Sequence, residues 1–428
     1  MKFHKVLIIT YYWPPSGQVG MLRTFKFTQY LSEFNWQPTV LASNVQYASE
    51  QNQDERWKTS LSAPVYLVGP LRIVKKKISL ESHGDIKFSR TRNAIYQTKS
   101  MMLEYFNFIK PVIRTAYELH HLSPFDLIFS SSPPESVHFA AAIISGRLSI
   151  PWVADLRDLW AYDHYRNKHK LDRFISLGAE KIIFKKTSAL VTISEPMKAM
   201  LQSVHPHLQN NIHVVTNGFD PNDFPLNNDQ FSSQKLTFVY PGKLSPISQN
   251  PSVLFDALSI LVQRGIINPN KLQFHWYIQN SDGVIFLKRL VEKYTFQNFM
   301  KIFKPTSYFE SLEKQTQASV LLFIPFVSNY AEGCLTTKFF EYLGTNNPIL
   351  ALPSTPEIIK KLLEEVGGGY VASNPSDMVN ILIELYNRFL NKQLLMLGKN
   401  KDASKQYTRL NLTRKLAGIF NSVVEHSQ

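Results

Sequence analysis

Residues 332–344, EGCLTTKFFEYLG, sit between two apolar runs, 320–325 and 348–351. Short runs this apolar read as buried parallel strands, so strand, loop, helix and strand form a βαβ unit. Gly333 falls where the loop must turn tightly. Thr336 and Thr337 suit a cap or a first helical turn. Leu335, Phe339 and Leu343 recur at four-residue spacing and supply a buried face. Gly344, with Asn346, Asn347 and Pro348, is expected to stop the helix.

Open α/β sheets bind ligands beyond the carboxyl ends of their strands, where this loop and helix N-terminus lie. Free backbone N–H groups and the helix dipole favour a phosphate there. Glu341 stands six residues beyond Leu335, roughly 9 Å along an α-helix. That is about the separation between a diphosphate and the ribose of one nucleotide. A carboxylate can accept hydrogen bonds from both hydroxyls of a ribose diol. One helix could thus hold a sugar nucleotide at two points. Glu341 reads equally well as a surface residue of an amphipathic helix.

The 428 residues, 44% apolar and 13% aromatic, can fill two cores and are not those of a disordered chain. No run of about 18 apolar residues is present to span a membrane. The start, residues 1–10, is too short for a signal h-region and fits a first strand. One cysteine, Cys334, excludes an internal disulfide framework and suits the cytoplasm. The net charge of +14 favours an anionic partner. Its visible clusters are Lys75, Lys76 and Lys77, and Lys181 with Lys185 and Lys186. Neither has the aromatic interleaving of a nucleic-acid reader, so no nucleic acid is expected. They read as solvated faces, or as contacts to an anionic membrane surface that would hold the chain on the inner face of the plasma membrane. No His-x-Glu-x-x-His, paired cysteine or strand-terminal Asp-x-Asp pattern occurs, so no metal site is expected. No Walker lysine follows a glycine loop, which argues against ATP hydrolysis.

Along the chain, strands are expected at 6–10, 38–43, 65–68, 125–130, 151–154, 189–195 and 213–215. Helices are expected at 21–33, up to about 148, and from Pro196 with Ser194 as its cap. Loop 11–20 has two prolines that forbid helix and two glycines, Gly17 and Gly20, that let backbone approach a ligand. It lacks the three-glycine dinucleotide fingerprint. Ile73, Val74 and Ile78 suggest a partly buried helix or a membrane-facing patch. Asp155, Arg157 and Asp158 follow a buried strand directly and must have partners, either in an internal ion network or at a substrate hydroxyl. His138 begins a helix and reads either as a packed residue or as a sugar contact. Residues 221–235 are polar and irregular, the best linker candidate.

A fresh α/β series follows. Strands are expected at 236–240, 274–278, 349–352 and around 367–371, with a short helix and strand within 291–303. Helices are expected at 252–264, 306–318, 376–390, 394–401 and 407–424. The domains so read are 1–222, linker 223–235, 236–405, and a tail 406–428 that crosses back onto the first domain.

Several segments resemble one family. Gly-x-Leu-x-x-Lys-x-Phe-Glu-Tyr-Leu followed by Asn-Pro-Ile-Leu resembles the donor helix of retaining GT-B glycosyltransferases, family 4 in particular. Pro-Pro-x-Gly-x-x-Gly with Arg23, Ser-x-Pro-Pro-x-Ser-x-His, Asp-x-Arg-Asp-x-Trp and Asn-Gly-x-Asp are similar to that family's other motifs. The resemblance covers residues 12–416. It implies two Rossmann-like α/β domains with parallel sheets facing a cleft. It also implies transfer of a sugar, with retention, from a nucleoside diphosphate, UDP or GDP, to a glycan or lipid-linked glycan acceptor.

By the same resemblance, Glu341 would hold the ribose. Gly17, Gly20, Arg23, Lys243, Gly333, Leu335, Thr336, Thr337 and Lys338 would line the donor. His138, Asp155, Asp158 and Glu332 would be the catalytic candidates. Residues 304–307 would meet the base. The family's paired glutamates have Gly333 in the first slot here, with Glu332 one residue off. Its second basic residue after Gly242 is replaced by neutral Ser248, Gln249 and Asn250. These departures keep two alternatives open: a sugar-nucleotide epimerase or hydrolase using Asp155 or Asp158, and a degenerate binding protein.

Overall fold

A computed structural model describes residues 3–14, 20–48, 56–59, 63–75, 107–163, 170–225, 234–328, 331–393, 395 and 400–426. The chain forms two compact units. One is Met1–Thr216 with Arg409–Gln428, and the other is Asn217–Thr408. Asn217 packs with the second unit because its side-chain amide donates to the Leu335 carbonyl at 2.9 Å. The first unit therefore ends a little before residue 222.

The strands of the first unit are β1 (His4–Thr10), β2 (Trp36–Ala48), β3 (Val65–Lys75), β4 (Leu127–Ser132), β5 (Trp152–Leu156), β6 (Ala189–Thr192) and β7 (Ile212–Val214). They form one sheet in the order β3-β2-β1-β4-β5-β6-β7, with every pairing parallel. Helices α1 (Gly20–Tyr30), α2 (Arg56–Thr59), α3 (107–122), α4 (Ser136–Leu148), α5 (Lys170–Ile183) and α6 (Glu195–Val204) follow their strands. A parallel sheet covered on both faces wants continuous apolar strands, and Val6 to Ile9 and Leu127 to Phe129 are fully buried. Strand order reverses between β1 and β4, which makes the carboxyl ends of those strands the switch point. Ser194 caps α6 by accepting from the Met197 N–H.

The second unit carries β8 (Leu236–Gly242), β9 (Leu272–Ile278), β10 (Met300–Phe303), β11 (Val320–Phe323), β12 (Ile349–Ala351) and β13 (Gly369–Val371). Their order is β10-β9-β8-β11-β12-β13, again all parallel, with the switch point between β8 and β11. The helices are α7 (Ser252–Gln263), α8 (Ser281–Lys293), α9 (Tyr308–Thr316), α10 (Thr337–Thr345), α11 (Glu357–Val366), α12 (Pro375–Leu390) and α13 (Lys401–Lys405). Leu258, Phe274, Trp276, Val320 and Leu350 join the core of this unit. The last helix, α14 (Arg409–Glu425), belongs to the first unit. There Phe420 packs on Trp36 and Phe129, with ring centroids 5.2 and 5.4 Å away.

Several elements differ from the sequence reading. Helix α8 runs over Ser281–Lys293, ahead of the short helix expected within 291–303, and a Cβ on its Gly283 would stand 2.6 Å from the Leu244 carbonyl oxygen, so the glycine admits a neighbouring loop. Gly344 does not stop α10, which runs on to Thr345 and ends at Asn346 with φ +63°. A Cβ on Gly344 would stand 2.5 Å from Phe224, so its role is close packing. Ile73 and Val74 lie in β3, paired with β2, and not in a helix. Helices α5 and α11 had no counterpart in the sequence reading. Of the expected helix 394–401, residues 394 and 396–399 lie outside the described residues, as does Ile78.

Candidate active site

The carboxyl end of β8 and the loop after β11 meet at the switch point of the second sheet. Gly242 ends β8 at φ +125°, a backbone state that glycine adopts readily. A Cβ at Gly242 would stand 2.7 Å from Lys338 Nζ. The missing side chain is what lets the lysine lie across the strand end. Its Nζ sits 4.1 Å from the centroid of the Tyr240 ring, a cation–π contact. Burial pulls the Lys338 pKa down to about 8, against the nearby Glu341 charge, which works to raise it. A cavity of about 70 Å³ opens here, lined by Gln249, Ile324, Cys334, Thr336 and Lys338 among others. That is the scale of a phosphate group and not of a whole nucleotide.

Gln249 holds the loop that closes this cavity. Its amide donates to Tyr240 Oη at 3.2 Å and to the Ile324 carbonyl at 2.9 Å, and its Oε1 accepts from the Ser245 N–H at 3.1 Å. The neutral residue at the family's basic slot is thus a brace between β8, its following loop and β11. Lys243 is exposed beside it.

Helix α10 presents its N-terminus to the same place. The backbone N–H groups of Thr337 and Lys338 meet no acceptor among the described residues. Thr336 is the N-cap, but its side chain makes no capping bond. Leu335 is buried and lies before the helix, held through its carbonyl by Asn217. The 9 Å helical separation therefore does not apply from Leu335. From Thr337 to Glu341 the rise is about 6 Å. Asn217, the first residue of the Asn-Gly-x-Asp motif, thus orients the loop ahead of this N-terminus.

Glu341 is half-buried on α10. Its Oε2 accepts from Gln315 Nε2 at 3.4 Å. Gln315 is fully buried on α9, and its Oε1 has no hydrogen-bond partner. Asn347 ties the two helices together by donating to the Gln315 and Thr316 carbonyls at 2.8 and 3.0 Å.

In the first unit, three candidates are buried and bonded within the protein. Asp155 is fully buried on β5; Arg23 donates to it through Nε and Nη2, and Ser131 through its hydroxyl at 2.7 Å. Arg23, also buried, donates as well through Nη1 to the Thr216 carbonyl at 2.6 Å and through Nη2 to the Val215 carbonyl at 2.8 Å. Four of its five N–H groups are so engaged. His138 lies in the core between Trp152 and Phe184 and shares a 2.8 Å hydrogen bond with Ser130. Burial pushes its pKa down to about 3, so it stays neutral.

Gly20 is close-packed by the protein itself: a Cβ would stand 3.2 Å from Arg157 Nη1 and from the Tyr12 ring. Arg157 holds this corner by donating to the Ser132, Gly20 and Pro133 carbonyls. Asp158 is half-buried, and its charge supports that of Arg157.

Gly17 lies outside the described residues. Glu332 is exposed on the turn Ala331–Gly333, in which Gly333 itself is buried. Residues 304–307 follow β10 at the edge of the second sheet, and Ser307 is engaged in a capping box with Glu310.

The sequence model of Glycosyltransferase Family 4 matches residues 23–223. No curated protein matches the chain. Among solved structures, the fold is similar to sucrose-phosphate synthase from Thermosynechococcus elongatus, at 11% identity and a TM-score of 0.66, over 99% of this chain and 100% of that one. It is similar to HepE from Anabaena in complex with UDP and glucose, at 15% identity and TM-score 0.64, over 98% and 100%. It also resembles a UDP-N-acetylglucosamine 2-epimerase described as putative, from Listeria monocytogenes, at 9% identity and TM-score 0.56, over 100% and 98%. Residues 23–223 carry the Glycosyltransferase Family 4 pattern, on a chain that has the GT-B fold of glycosyltransferases throughout.

Proposed function

We propose that the protein transfers a sugar from a nucleoside diphosphate to a hydroxyl of a glycan or lipid-linked glycan, with retention of configuration, in surface polysaccharide or lipopolysaccharide assembly. The observation that carries this reading is the convergence at one switch point of two backbone N–H groups with no acceptor among the described residues, the Lys338 ammonium and, one turn along α10, the Glu341 carboxylate.

The amides of Thr337 and Lys338 and the Lys338 ammonium would take the diphosphate, and exposed Lys243 would add a second positive charge. Charge accumulates on the diphosphate as the glycosidic bond to the donor breaks. Donors already aimed at it stabilise the transition state more than the ground state. Attack by the acceptor hydroxyl on the same face, its proton passing to the leaving phosphate, keeps the configuration and needs no protein nucleophile. Glu341 would hold the ribose hydroxyls. The UDP bound to HepE supports a uridine donor. An epimerase or hydrolase reading is weaker, because Asp155, one of its two candidate acids, is buried and spent on Arg23.

Calorimetric titration with UDP, GDP, ADP and their sugars, for the native chain and Glu341→Ala, tests the reading. Binding of one nucleoside diphosphate that weakens in the variant supports it, and turnover that requires acceptor separates a transferase from a hydrolase. Absence of binding by any of them overturns it.

A further inference from the structure

Helix α5 of the first unit has an unusual outer face. Leu171, Phe174, Ile175 and Ile182 are 68, 74, 60 and 75% exposed. They fall at i, i+3, i+4 and i+11, so with Gly178 at i+7 they make one stripe along the helix. Gly178 also faces open space, with nothing within 4 Å of where its Cβ would be. The opposite side is anchored. Glu180 is buried, paired with His205 Nε2 at 2.9 Å, and accepts from the Ala161 N–H at 3.1 Å. The helix therefore cannot roll its apolar stripe inward without breaking a buried pair. Four large apolar side chains left in a row on a fixed helix mark a contact surface.

The charges around the stripe say which kind. Lys170 and Lys181 flank it on one side, at eleven-residue spacing, and Lys185 and Lys186 continue the line past the helix end; Lys181, Lys185 and Lys186 are exposed. Asp172 is the exposed acid on this helix. An apolar ridge edged by lysines, on a chain of net charge +14, matches an interface of acyl chains beneath anionic headgroups.

We infer that the outer face of α5 docks the protein on an anionic lipid surface, with Phe174 and Ile182 inserted and the lysines at headgroup level. This inference is independent of the donor-site reading, since it rests on the first unit alone.

The test is co-sedimentation of the full chain with sucrose-loaded vesicles of phosphatidylcholine alone, or of phosphatidylcholine with about a third phosphatidylglycerol. The native chain is expected to pellet with the anionic vesicles and to stay in solution with the neutral ones. Each of Phe174→Ser and Ile182→Ser should weaken partitioning about ten-fold, the scale of losing one inserted apolar side chain. Lys181→Glu with Lys185→Glu should weaken it further and flatten its salt dependence. Leu122→Ser, at a residue 83% exposed elsewhere on the same unit, should leave it unchanged. All these positions are exposed, and circular dichroism with thermal melts checks that each variant folds.

Three results would overturn the inference. One is a native chain that ignores anionic vesicles. Another is equal binding to neutral ones. The third is a sedimentation velocity run in which Phe174→Ser dissolves a dimer while lipid binding is unaffected, which would assign the stripe to a second copy of the chain.

Discussion

Arg23 on α1 and Asp155 on β5 form a two-pronged ion pair inside the first unit, with Nε and Nη2 donating to the carboxylate at 3.0 and 2.8 Å. Both are essentially without solvent contact. The pair joins a helix to the sheet at the carboxyl end of β5, and Ser131 and the 215–216 backbone complete its hydrogen bonds. Removing one partner leaves a buried charge uncompensated. Arg23→Ala or Asp155→Asn should therefore destabilise the protein by about 3–5 kcal/mol. Urea unfolding followed by fluorescence reads this. An Asp155→Asn variant of native stability that has lost turnover would instead make Asp155 catalytic.

Glu341 and the diphosphate cradle can be separated by their energetics. If Glu341 holds the ribose as proposed, Glu341→Ala removes charge-assisted hydrogen bonds to it, and nucleoside diphosphate affinity should fall about 10- to 100-fold. Affinity for inorganic pyrophosphate should be unchanged, because that ligand has no ribose. Equal losses for both would mean that Glu341 acts through Lys338 rather than on the sugar.

Lys338 gives the site a pH dependence. With its pKa near 8, the ammonium is present at pH 7 and largely lost at pH 9. Nucleoside diphosphate affinity should drop about ten-fold over that interval in the native chain. The drop should be absent in Lys338→Met. The sign for stability is opposite. A lysine depressed in the folded state favours unfolding while it is protonated, so this cost is present below pH 8 and disappears as pH rises toward 10.5. Gly242→Ala should also weaken donor binding, because its Cβ would occupy the place of the Lys338 ammonium.

Gln249→Arg restores the family's basic residue in type but breaks three hydrogen bonds. It should lower stability by about 1–3 kcal/mol without strengthening diphosphate binding. Thermal melts with and without UDP would show it.

His138 predicts an acid limb. The unfolded chain protonates this histidine near its ordinary value of 6.5, while the folded chain holds out to about 3. Stability should fall as pH drops from 6.5 toward 3, and the fall should be shallower in His138→Phe, which keeps the ring between Trp152 and Phe184.

Much of this architecture was legible because parallel strands buried on both faces are plain apolar runs. Leu127 to Phe129 and Val320 to Leu322 could hardly be anything else. Helix α10 was legible through Phe339 and Leu343, which are buried as expected. What escaped reading depends on tertiary partners. Arg23 looks like an exposed helical arginine until Asp155, 132 residues on, is brought beneath it. Gln249 looks like a missing charge until Ile324 supplies the carbonyl it braces. Gly344 looks like a break, although it only clears room for Phe224. Helix α5 escaped because an apolar stripe facing outward does not fit the expectation of a buried face.

The N–H groups of Thr337 and Lys338, which meet no acceptor among the described residues, belong to the main chain. No side-chain replacement short of proline can delete them. On the proposed reading, sequence drift could therefore reshape acceptor and sugar preference, and even replace Lys338, while this part of the grip on the leaving group would persist. Such a site degrades by steps rather than all at once. On that same reading, variants that lose Glu341 or Lys338 would keep a weak, unselective hold on phosphate.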